Sequence, residues 1–198
     1  MEAVKEFKTK DKVLKIFIDE SPENPRTAWD NLGTMVCFHK RYDLGDNHNY
    51  SSSDYDSWDE MESAIIKQED VAVILPLYLY DHSGITMNTT GFSCGWDSGQ
   101  VGFIFVSRET LRKEYSVKRI SNKIVEKATK LLIGEVETYD QYICGDVYGF
   151  KVFKVETCDK GCEHEEEIDS CWGFFGDNFI ENGLIEYVDE EFAELLEK

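Results

Sequence analysis

Residues 13–19, VLKIFID, alternate apolar and polar side chains with the two-residue period of a half-buried strand, and Pro22 and Pro25 end it. TMVCFH (34–39) predicts a second strand. DLGDNHNYSSSDYD (43–56) holds one leucine among turn formers, which predicts an exposed loop of a length that often carries function. The period then changes to that of a helix. Ser57 is placed to cap a helix through Gln68, with Trp58, Met61, Ile65 and Ile66 on one face and Asp59 and Glu60 at the positive end of its dipole.

VAVILPLYLYDHSGITM (71–87) is a nearly unbroken apolar run ending at a glycine turn; it reads as a buried strand, with Pro76 marking a break, a bulge or an edge. After a glycine-rich loop (89–99), QVGFIFVS (100–107) reads as another strand. Ser107 caps a short helix to Tyr115 and Ser121 a longer one to about Tyr142. In the longer helix Ile124, Ala128, Leu131, Leu132, Val136, Tyr139 and Ile143 recur every three or four residues. DVYGFKVFKVET (146–157) and EEIDSCWGFFG (166–176) predict a hairpin, and DEEFAELLEK a closing acidic helix. Strands and helices without regular alternation predict an α+β fold, a mainly antiparallel sheet packed with two to four helices, as a single domain over residues 1–198.

Composition supports a packed core. Apolar residues make up 41%, and 12 Phe, 10 Tyr and 4 Trp are too much ring surface to leave in water, which excludes global disorder. No apolar run is long enough to span a membrane, and MEAVKEFKTKDK lacks the apolar core of a secretory signal, so the expected location is the cytoplasm.

Charge changes the picture most. The net charge is −19, and it is unevenly spread. Residues 43–70 carry nine acids and one base, and residues 156–198 fifteen acids and two bases. Between these acidic blocks, residues 107–134 carry eight bases and three acids. A surface of this sign repels phosphate backbones and anionic membranes, which argues against direct nucleic-acid or membrane binding and favours a basic protein partner. The basic block (Arg108, Arg112, Lys113, Lys118, Arg119, Lys123, Lys127, Lys130) is expected to pair internally with the acidic segments rather than contact phosphates.

Six cysteines in a chain without a secretion signal read as thiols, with Cys37 and Cys144, set among apolar neighbours, expected to pack in the interior. Cys158, Cys162, His164 and Cys171 would satisfy tetrahedral zinc, the one metal the sequence offers; the alternative is a hairpin tip that happens to carry two cysteines. Asp81, His82 and Ser83, with Asp97 and Ser98 in a second glycine turn, could serve a small enzyme acting on nucleotides. Adjacent residues of an extended segment point to opposite faces, though, so no catalytic residues are assigned and capping of turn amides is favoured. No phosphate loop or EF-hand loop is present. Asp54, Tyr55, Asp56, Trp58, Asp59 and Glu60 combine rings with carboxylates and form the favoured partner-binding site, suited to an arginine-rich surface.

WDNLGTMVCFHKRYDLGD (29–46), ILPLYLYDHSGITMNTTGFSCGWDSGQVGFIFVS (74–107), EVETYDQYICGDVYGFKV (135–152) and DSCWGFFG (169–176) together resemble a family of bacteriophage and mobile-element proteins, over most of the chain. The resemblance carries no catalytic residues. It implies an accessory protein of the host bacterial cytoplasm, of the kind that inhibits defence systems as anti-CRISPR and anti-restriction proteins do. The sequence reading is therefore an acidic inhibitor that binds a basic nucleic-acid-binding host protein, such as a defence nuclease complex, by mimicking nucleic acid. The alternatives are the small nucleotide enzyme and a zinc-stabilised interaction module.

Overall fold

A computed structural model describes residues 2–158 and 162–197. In chain order the elements are β1 (Lys5–Lys8), β2 (Lys12–Ile18), α1 (Pro25–Ala28), β3 (Thr34–Cys37), α2 (Trp58–Gln68), β4 (Val71–Asp81) and β5 (Ile85–Asn88). Then follow β6 (Ser98–Ser107), α3 (Arg108–Glu114), α4 (Asn122–Cys144), β7 (Val147–Thr157), β8 (Glu163–Phe175) and α5 (Glu190–Leu196). This is the α+β class that the patterning predicts, with two antiparallel sheets where the sequence suggests one. No helix among the described residues is long and apolar enough to cross a membrane. The sequence reading treats the chain as a single domain; the contacts gather into two compact units, residues 1–23 with 141–198 and residues 24–140.

The first unit holds the sheet β1-β2-β7-β8. Leu14, Ile16, Phe150, Val152 and Phe174 form its buried face, and the stretch after β8 lays Phe179, Leu184 and Phe192 over them. Each side chain so buried contributes about 1.5–3 kcal/mol. β8 is an outer strand, and its exposed half carries Glu163, Glu165, Glu166, Glu167 and Asp169, charges that discourage a further strand from pairing there. The expected hairpin is present; its tip, residues 159–161, lies outside the described residues.

The second unit holds the sheet β3-β6-β4-β5. Alternation puts Val36, Phe103 and Phe105 on one face, where Met61 and Ile65 of α2 close a core. Ser57 caps α2 as predicted, its hydroxyl accepting from the Glu60 amide at 3.2 Å, and Ser107 caps α3 in the same way, accepting from the Thr110 amide at 3.0 Å. Ala128, Leu132, Val136 and Tyr139 are the buried stripe of α4, whereas Leu131 of the predicted face is half-exposed. The carboxylates of α4 clasp both edges of the sheet. Glu135 accepts the Leu32 amide at 2.6 Å beside β3, and Asp140 accepts the Met87 amide at 2.6 Å on β5.

The predicted 71–87 strand breaks at His82–Gly84, and residues 85–88 return as β5. β5 covers β4 only from Tyr78 to Asp81, so Pro76 falls where β4 has β6 on one side alone, the edge setting a proline tolerates. Gly102 has a different cause: a Cβ there would lie 1.9 Å from the Val36 carbonyl oxygen, so only glycine lets β3 and β6 approach this closely.

Candidate functional site

The acidic loop is less free than its composition predicts. Leu44 is buried, Gly45 bridges to Val36 and donates its amide to the Tyr139 hydroxyl at 2.9 Å, and Asp46 is fixed by Arg26. Arg26, only 8% exposed, spends all five donors within the fold. Nε and Nη2 grip the two Asp46 oxygens at 2.9 and 2.7 Å, Nη1 reaches Asn31 at 3.0 Å and Glu135 at 2.9 Å, and Nη2 also reaches the Gly33 carbonyl at 2.7 Å. Burial opposes its charge, and the bonds to Asp46 and Glu135 outweigh it, so the guanidinium is held more firmly protonated than usual.

With its base pinned, the loop presents a ledge. A 3₁₀ turn at Ser52–Asp54 leads into Ser57, and the Glu60 carboxylate accepts the Asp56 amide at 2.7 Å. Asp54, Asp56, Asp59 and Glu60 are exposed, and among the described residues none of them pairs with a lysine or arginine. Tyr55 and Trp58 are half-buried against the core, with Trp58 edge-on to Phe103 at 5.9 Å. The fold thus brings the six predicted partner-binding residues together, and gives part of both rings to packing.

The other acidic block differs. Lys12 pairs with Asp189 at 2.5 Å, Lys15 with Glu165 at 2.5 Å, Lys151 with Glu167 at 2.8 Å and Lys154 with Glu156 at 2.7 Å. The C-terminal acids are therefore partly neutralised by lysines of their own sheet. The basic block departs from expectation in the opposite sense. Arg108 alone pairs, with Asp70 at 3.2 Å; among the described residues Arg112, Lys113, Lys118, Arg119, Lys123, Lys127 and Lys130 are exposed and make no ion pair. Helices α3 and α4 turn their apolar stripes inward, which leaves the lysines facing water.

A cleft of about 910 Å³ opens where the chain leaves β3, lined by Phe38, Tyr42, His48, Trp58 and Asp81, with Lys40 and Arg41 at its side. His39 and Arg41, which the sequence reading did not single out, converge on Asp81. His39 Nε2 lies 3.5 Å from the carboxylate, and the Arg41 guanidinium bonds the same oxygen. His39 stacks on Tyr42 with ring centroids 5.0 Å apart. The Arg41 amide donates to His39 Nδ1 at 3.3 Å, which makes that nitrogen an acceptor and leaves Nε2–H for Asp81.

His82 turns the other way, toward Asp97 at 3.4 Å, as alternation along a strand requires. The structure therefore divides the Asp81, His82 and Asp97 of the enzyme alternative between two pairs. Cys37, which lines the cleft, is pushed up to about 12 by burial and by Asp46, and stays protonated at neutral pH.

Below the β4–β5 hairpin a smaller hollow of about 270 Å³ is lined by His39, Leu79, Asp81, Asp97 and Gly99, and Trp96 stands at its mouth, 98% exposed.

At the end of the β7–β8 hairpin the Cys158 amide donates to the Cys162 carbonyl at 2.8 Å, and the Cys162 amide to Cys158 Sγ at 3.3 Å. His164 stands opposite Glu156 in the ladder, but Cys171 stands opposite Phe150, seven residues further along the strand and about 20 Å away at the usual rise. The structure thus joins two of the four zinc candidates and holds Cys171 apart. No cluster of three or more potential metal ligands occurs among the described residues. Compared with known proteins, the chain matches no family model, no curated protein and no solved structure.

Proposed function

We propose that the chain acts by binding a basic protein partner and not by turning over a substrate. The observation that supports this best is the ledge: Asp54, Asp56, Asp59 and Glu60 are exposed and, among the described residues, in no ion pair, on a loop whose base is locked by Arg26. Rigid, unneutralised carboxylates lose little ordering entropy on docking and steer a cationic surface by long-range attraction. The half-exposed edges of Tyr55 and Trp58 add apolar contact. The division of Asp81 and His82 between two separate pairs counts against the nucleotide enzyme. In this reading the partner is the nucleic-acid groove of a host protein, such as a defence nuclease complex in a bacterial cytoplasm, and the ledge occupies the place of phosphates.

The test uses purified nuclease complexes from bacterial hosts, assayed for DNA cleavage with and without the chain. Inhibition is expected to weaken steeply as salt is raised. It should drop about tenfold or more when Asp54, Asp56 and Asp59 become Asn and Glu60 becomes Gln. Inhibition that ignores both salt and these four substitutions would overturn the proposal.

A further inference from the structure

The cleft and the Trp96 loop carry an inference beyond partner docking. Trp96 is 98% exposed, the extreme among the large apolar side chains, and its indole makes no ring or cation contact within the described residues. The loop that carries it is nevertheless fixed. The Asp97 carbonyl accepts the Asp81 amide at 2.8 Å, the Asp97 carboxylate faces His82 at 3.4 Å, and the Ser98 hydroxyl bonds the Cys94 carbonyl. A held loop with a free indole is what an anchor residue looks like before its pocket arrives, since tryptophan contributes disproportionately at protein interfaces.

The cleft next to it fits such a ring. It has about 910 Å³ of space, walls of Phe38, Tyr42 and Trp58, and two cations at its side, Lys40 and Arg41, the latter already lying over Tyr42 at 5.5 Å. An indole face attracts cations, and the carboxylate of Asp97, 39% exposed beside Trp96, complements them. Ring and cleft share the walls His39, Asp81 and Val101, so both sit on one face of residues 24–140. A two-fold axis through that face would seat each copy's ring in the other's cleft, the self-complementary arrangement of a closed dimer.

We infer that the chain forms a symmetric homodimer in which Trp96 of each copy enters the Phe38–Tyr42–Trp58 cleft of the other, with Asp97 meeting Lys40 and Arg41. Two indoles bury roughly 300–500 Å², against the ~1,200–2,000 Å² of a standard interface, so the association is weak and concentration-dependent. Because each copy carries −19, salt strengthens it by screening their repulsion.

Sedimentation velocity and light scattering on the full chain test this. The mass should rise from 22.9 kDa toward twice that value with concentration and with salt. Trp96→Ala should stay at the monomer mass with an unchanged far-UV spectrum, because the indole supports nothing in its own copy. Lys40→Glu and Asp97→Lys should each be monomeric alone and dimerise when mixed, since the mixed pair restores both opposite-charge contacts. A monomer mass up to ~1 mM, the weak limit of specific association, would overturn the inference. Dimerisation of Trp96→Ala at the parent's concentration, or failure of the mixture to pair, would do the same. The ledge proposal would survive any of these: it shares only Trp58 with this contact, rests on the carboxylates of Asp54, Asp56, Asp59 and Glu60, and has the opposite salt dependence.

Discussion

Replacing Arg26 by alanine is expected to destabilise residues 24–140 by about 3 kcal/mol, the low end of the cost of stripping one partner from a buried ion pair. The low end applies because the carboxylates left behind are not sealed. The Asp46 and Glu135 side chains keep 22% and 15% of their exposure, so water can partly replace the guanidinium. Each also keeps backbone donors, Met35 for Asp46 and Leu32 and Gly33 for Glu135. Urea unfolding followed by tryptophan emission reads the effect, since Trp29, Trp58 and Trp96 all lie in this unit. With a slope of 1–3 kcal/mol/M the midpoint should fall by about 1–3 M. The loss should persist at high salt, because a side chain only 1% exposed is poorly screened. Arg26→Lys should recover only part of it, since an ammonium cannot fork onto Asp46 and reach Glu135 together. Adding Glu135→Gln to the alanine variant should restore some stability by removing an orphaned charge. A midpoint shift below about 0.3 M with an unchanged slope would refute the claim that this cluster pins the acidic loop.

Gly102→Ala should cost at least 1–3 kcal/mol by forcing a methyl against the Val36 carbonyl, and amide exchange should show β3 opening first. Cys37 should resist iodoacetamide at neutral pH while Cys162 and Cys144, the latter exposed where the sequence suggests an interior position, are alkylated; rapid labelling of Cys37 would contradict its burial. Its thiol is raised from 9.0 to about 12, so the unfolded chain ionises first, and this contribution to stability is full below pH 9 and is lost as pH rises toward 12. Metal analysis of the purified protein should find less than one zinc per chain, because extended β8 keeps Cys171 from Cys158 and Cys162; equimolar zinc that survives a chelator would mean that the strand is wrongly placed.

What could be read from the sequence was what is decided locally. The caps at Ser57 and Ser107 were legible because a hydroxyl and an amide three residues on are enough to make them. β2, β6 and β7 were legible from apolar runs or alternation, and the buried stripe of α4 from its helical spacing. β1 was not, because KEFK offers one apolar residue and becomes a strand only by pairing with β2. Nor was Arg26: PENPRTAW looks like a turn, and its carboxylates lie 20 and 109 residues away. The six ledge residues could be nominated because rings and acids sit together in the chain; that they bind a partner is the proposal. His39 and Trp96 were not, since their meaning lies in what the folded chain sets beside them or withholds.

The division of the chain has a consequence for its synthesis. β2 is made early but pairs with β7, and all of residues 24–140 are translated between them. At ribosomal speed β2 waits on the order of ten seconds with Leu14, Ile16 and Phe17 uncovered, while the intervening unit, which is contiguous, can collapse as it emerges. The nascent polypeptide therefore passes through a stage with one half finished and an early hairpin still seeking its sheet. Holdase chaperones, and the pace of translation across residues 141–157, act on that stage.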